Sequence, residues 1–99
     1  MPKILLLCSA GMSTSMLVKK MKEDARTNGW DWYIEAKGMG ESKGELNNWD
    51  LIMLGPQVSY ALNDVKSLTS KPVVIIPGAV YAIAKGSEAN AIVKKTLNI

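Results

Sequence analysis

Lys3 to Cys8 is almost uniformly apolar, the pattern of a strand covered on both faces. From Ser13 to about Asn28 the rhythm turns helical: Leu17, Met21 and Ala25 recur every fourth residue, with Lys19, Lys20, Lys22, Glu23 and Arg26 on other faces. Ser13 or Thr14 is suited to cap that helix, and Asn28-Gly29 to stop it. Trp32 to Lys37 reads as a second strand, with Trp32, Ile34 and Ala36 on one side, and Gly38 to Asn48 as a polar loop with at most a short helical turn. Asp50 to Leu54 is a third apolar run, closed by Gly55-Pro56. Val58 to Leu68 carries a helical stripe of Val58, Ala61, Leu62, Val65 and Leu68. Val73 to Ile76 is a β-branched fourth strand, followed by a short apolar segment, Ala79 to Ala84. Ser87 is then suited to cap a last helix with Ala89, Ile92, Val93 and Leu97 inward.

Apolar strands alternating with amphipathic helices predict a three-layer α/β domain, its helices flanking a four-stranded parallel sheet. Right-handed crossovers and a doubly wound arrangement give the order 2-1-3-4. Ligands of such sheets bind beyond the carboxyl ends of the strands where the winding reverses, here just past Cys8 and Gly55.

Length and composition narrow the classes. The 99 residues suit a single domain, 1–99, and 47% hydrophobic against 21% charged residues is ordinary for a globular chain. No apolar run is long enough to cross a bilayer, and the short N-terminal one leads straight into patterned structure, so a cytoplasmic protein is expected. The net charge of +3 is spread over mixed helix faces, which argues against nucleic-acid binding. One cysteine and no histidine leave no internal disulfide and no familiar zinc site; neither metal nor cofactor is expected.

That one thiol stands at the end of the first strand, before Ser9-Ala10-Gly11-Met12-Ser13-Thr14-Ser15. Small residues let the backbone curl, and the helix that follows points its N-terminus at the loop, so successive N–H groups can converge on an anion. A thiol beside such a nest is acidified, and the thiolate is a nucleophile. Phosphate suits both features, which makes Cys8 a candidate phosphoryl carrier with Ser9 to Ser15 as phosphate-binding residues. Against this stands Cys8 as a small buried hydrophobe, with serines that only cap a helix.

Cysteine phosphatases space their cysteine and arginine by five residues. Here the arginine position falls on Thr14, with Ser15 after it. The loop therefore has phosphatase length without the guanidinium that stabilises the transition state, and no aspartate is well placed as general acid. A phosphocysteine would then hydrolyse slowly and wait for another acceptor. The alternatives are a small cysteine phosphatase or arsenate-reductase-like enzyme, and an anion-binding regulatory module with an inert Cys8.

Leu5 to Met21, LLLCSAGMSTSMLVKKM, and Leu54 to Leu62, LGPQVSYAL, closely resemble the IIB component of the lactose/cellobiose family of the bacterial sugar phosphotransferase system. The resemblance runs along essentially the whole chain and implies the same four-stranded parallel fold. It implies a phosphotransferase in which Cys8 accepts a phosphoryl group from a phosphohistidine of the IIA partner and passes it to a β-disaccharide (cellobiose, chitobiose or lactose type) held by the membrane permease IIC. It implies that Ser9 to Ser15 wrap the phosphate through backbone amides, and that the chain meets the membrane only through IIC.

Other features are weighed on the residues alone. Met12 is either an exposed apolar contact for partners or a core residue. Gln57 is either a phosphate contact or part of a plain turn opened by Pro56, the favoured reading. Tyr60 and Tyr81 are expected to pack, and Trp30, Trp32 and Trp49 to fill the core or cover an edge. Lys37 to Gly44, KGMGESKG, lacks the glycine spacing of a nucleotide-binding loop and reads as a mobile loop.

Overall fold

The computed structural model describes residues 1–9 and 14–99. Four strands, β1 (Lys3–Cys8), β2 (Tyr33–Gly38), β3 (Leu51–Leu54) and β4 (Val73–Ile75), form one parallel sheet in the order β2-β1-β3-β4. The helices are α1 (Ser15–Thr27), α2 (Leu62–Leu68), α3 (Gly78–Ala82) and α4 (Gly86–Leu97). The expected architecture is observed.

Side-chain alternation along β1 builds the two faces. Ile4 and Leu6 join Leu17, Val18 and Met21 of α1 and Ala89 and Val93 of α4 in one cluster. Leu5 and Leu7 join Ile52, Leu54, Val58, Ala61 and Val65 in the other. With residues 4–8 no more than 1% exposed, β1 is the covered central strand its sequence announces. Trp32, Ile34 and Ala36 share the α1 face, as the strand alternation requires.

Several boundaries differ from expectation. The Val58–Leu68 helix is not continuous: a 3-10 stretch, Pro56–Ala61, itself kinked where Val58 leaves helical geometry at φ −116°, ψ 21°, precedes α2. Its last stripe residue, Leu68, is half exposed. The apolar segment after β4 is the short helix α3. Ser87 does not cap α4: the helix starts at Gly86, with Lys85 at the N-cap position. Gly38 to Asn48 holds two 3-10 turns, Met39–Glu41 and Leu46–Asn48, pinned by buried Ser42 and Leu46. Tyr60 does not pack; it is 82% exposed, whereas Tyr81 lies against the core.

The tryptophans differ in burial. Trp49 is core, 3% exposed, with its Nε1–H donating to Glu45 at 3.2 Å. Trp30 and Trp32 stack at 4.6 Å just ahead of β2, with Trp32 packed against the α1-side core and the Lys94 ammonium 4.9 Å from the Trp30 ring. Among the described residues no helix is long and apolar enough to cross a membrane.

Candidate active site

β1 and β3 run side by side, with Leu7 opposite Leu54, and their chains part just beyond. The Gly55 N–H donates to the Leu7 carbonyl at 2.9 Å, so the strand ends stay joined up to the residue before Cys8. One step further, Cys8 lies opposite Gly38 of β2. This is the winding reversal of the sheet, where such folds bind ligands.

Cys8 follows Ile4 and Leu6 in the alternation, so its side chain faces α1. The sulfur is fully buried. A polar neighbour comes from the start of α1: the Thr14 hydroxyl donates to Cys8 Sγ at 3.7 Å, within range for sulfur. Thr14 occupies the N-cap position, and its carbonyl accepts the Val18 N–H at 3.0 Å. Yet its side chain makes no capping bond, an interaction worth about 1 kcal/mol at such positions. The capping role read from the sequence is therefore corrected, because the hydroxyl turns to the sulfur instead.

Ser9 and Ser15 are exposed on either side of the loop. Ala10, Gly11, Met12 and Ser13 lie outside the described residues, and with them most of the expected amide nest, the Ser13 cap and the two readings of Met12. Pro56 does open a 3-10 turn, the plain-turn reading. Gln57 is exposed, but its Oε1 folds back to within 2.9 Å of where a Gly55 Cβ would stand. That same point lies 3.7 Å from Thr14 Cγ2. Thus Gly55, Gln57 and Thr14 converge beside Cys8 although they come from two separate segments. The sequence marks Gly55 only as half of a Gly-Pro pair ending a strand at the reversal point.

Charge around the site is sparse. The Glu41 carboxylate accepts from the Gly38 N–H at 3.2 Å, across β2 from Cys8. The chain's one arginine, Arg26, lies in the last turn of α1, about 18 Å along the helix axis from Thr14, too far to serve as a phosphatase clamp. Among the described residues no group of three or more histidine, cysteine, aspartate or glutamate side chains could hold a metal. The arrangement is a buried sulfur at a strand end with a neutral donor aimed at it: the burial suits the small-hydrophobe reading of Cys8, and the donor suits a nucleophilic thiolate.

A family profile described as "PTS system, Lactose/Cellobiose specific IIB subunit" matches residues 3–93. The oligo-beta-mannoside-specific EIIB component of Bacillus subtilis is 38% identical over 92 residues, 90% of this chain and 89% of that protein. The cellobiose-specific EIIB component of Lactococcus lactis subsp. lactis is 33% identical over 103 residues, covering 96% and 95% of the two chains. In three dimensions, the lactose-specific IIB component domain of the phosphotransferase system from Streptococcus pneumoniae superposes with a TM-score of 0.86 at 22% identity, over 96% of both chains.

Proposed function

Because this chain belongs to the lactose/cellobiose-specific IIB family of the sugar phosphotransferase system, we propose that it carries a phosphoryl group on the Cys8 sulfur, on its way to a sugar. The observation that carries the reading is Cys8 at the carboxyl end of the central strand, at the winding reversal, with the Thr14 hydroxyl directed at its sulfur. In the first transfer a thiolate lone pair forms the S–P bond while the N–P bond of a phosphohistidine on the IIA partner breaks, and the imidazole leaves with a proton taken from solvent. In the second, a hydroxyl oxygen of a sugar held by IIC attacks phosphorus, the S–P bond breaks, the thiolate returns and the hydroxyl proton departs. Positioning and charge stabilisation do most of the work in such in-line transfers.

Residues 9–15 bind the phosphoryl oxygens in this reading, mainly through backbone amides, as their small side chains and the helix start beyond them favour. Retention over hydrolysis is supported by Thr14 at the position of the phosphatase arginine. A β-linked disaccharide is the favoured sugar class, since one relative is named for oligo-β-mannosides and another for cellobiose. The chain works in the cytoplasm and reaches the membrane through IIC.

The test is incubation with phosphoenolpyruvate and the general phosphotransferase proteins. A phosphoryl group should appear on the Cys8 peptide with the acid and hydroxylamine stability of a phosphothiol, and Cys8→Ser should abolish it. Label on any other residue, or undiminished label in Cys8→Ser, sinks the assignment.

A further inference from the structure

Thr14 is tied down from two sides. It starts α1, accepting the Val18 N–H through its carbonyl, and its Cγ2 sits 3.7 Å from the point a Gly55 side chain would occupy. The residue is wholly buried, and its hydroxyl spends its proton on Cys8 Sγ rather than on the amides of its own helix. A threonine at an N-cap position that gives up the cap for a sulfur needs a reason.

We propose that Thr14 is a positioning residue for phosphoryl uptake: its hydroxyl holds the Cys8 sulfur as an oriented thiolate before the phosphoryl group arrives. The inference rests on the reading of Cys8 as the phosphoryl carrier. A hydrogen bond to the charged form favours that form, and a sulfur with no exposed surface in this state depends on such donors in place of water. The thiol proton leaves to solvent, Thr14 keeps its own, and the oriented lone pair forms the S–P bond as the donor's N–P bond breaks. Once sulfur is esterified it carries no charge. The hydroxyl is then released to turn toward a phosphoryl oxygen. An arginine in its place would bind the dianion in every state and favour hydrolysis.

Other charges bear on this sulfur from the elements packed around it. Glu41, held by the Gly38 amide opposite Cys8, opposes ionisation. Lys37 lies opposite Leu7, on the other face of the sheet, and pairs with Glu45 at 2.7 Å. The first charged side chains of α1, Lys19 and Lys20, are exposed, and the strand end Gly55–Gln57 adds no charge. Replacing Thr14 leaves all of these in place.

The chain has one cysteine, so thiolate ultraviolet absorbance, after subtraction of the Cys8→Ser signal, reports Cys8 alone. Thr14→Val should move the titration midpoint to higher pH and slow phosphoryl uptake at neutral pH roughly tenfold, with uptake recovering as the pH rises. Thr14→Ser, which keeps the hydroxyl, should stay close to wild type in both. If valine prevents folding, Thr14→Ala carries the test with the same expectation. A wild-type midpoint and rate in the folded hydroxyl-less variant, or a serine variant as impaired as that one, overturns the inference. Failure of the carrier reading looks different: label that persists in Cys8→Ser or maps to another residue.

Discussion

At position 86 a side chain has nowhere to go. A Cβ there would lie 2.3 Å from the carbonyl carbon of Lys20, 2.5 Å from its oxygen and 2.6 Å from the Met21 nitrogen. These are backbone atoms of α1 and cannot swing aside, so Gly86→Ala must push two helices apart. We expect a loss of about 3 kcal/mol, seen as a lower urea midpoint with an unchanged slope. Gly55→Ala is milder, because its closest neighbour is the tip of the Gln57 side chain, which can move. A loss below about 1 kcal/mol is expected in the same measurement. Neither glycine has a positive φ; each is required by proximity. In the sequence Gly86 reads as a break before a Ser87 cap, since the approach of α1 cannot be seen from residues as distant in the chain as Lys20 and Met21.

Among the elements, α1 and α4 are joined by a polar clasp inside an apolar seam. Asn90, 1% exposed, donates through Nδ2 to the Met21 carbonyl at 2.9 Å and to Asp24 Oδ2 at 3.0 Å. Asn90→Ala should cost about 2 kcal/mol by chemical denaturation, since two hydrogen bonds are lost at a site that water does not fill freely. Asn90→Asp should cost more at neutral pH, because its carboxylate would face another carboxylate and a carbonyl oxygen. The helical period identifies Ala89 and Val93 as inward and makes Asn90 look like the polar flank of that stripe. Its burial follows from how α4 is rolled against α1. The exposed Leu68 and Tyr60 are the converse: apolar or aromatic residues in a helical stretch that ends or kinks before it can bury them.

At the scale of the whole molecule, a cluster of acids and bases on the β2 side ties stability to pH. Glu45 lies below the usual glutamate range, chiefly through its hydrogen bond with Lys37, and next through that with Trp49. Lys37 is raised chiefly by that same bond to Glu45, and Tyr33 by its hydrogen bond to Glu35. A lowered carboxyl contributes stability above its unfolded pKa, and that contribution disappears as the pH falls through the folded value. The raised lysine and tyrosine contribute below their unfolded pKa values and lose this as the pH climbs through the folded ones. Stability should therefore weaken at the acid and alkaline ends for reasons local to this cluster. Glu45→Gln should flatten part of the acid limb in urea midpoints measured against pH; an unchanged acid limb contradicts the assignment.

The order of strands and helices, the two covered faces of β1, and the station of Cys8 at the winding reversal follow from the sequence alone. Periodicity records how each segment buries itself against a sheet, and parallel crossovers allow few arrangements. The kink at Val58, the helix start at Gly86, the clasp of Asn90 and the aim of the Thr14 hydroxyl belong to the tertiary structure. Each depends on the separation and roll of elements distant in the chain, or on a choice between two local hydrogen bonds. Such quantities exist only once the layers have packed.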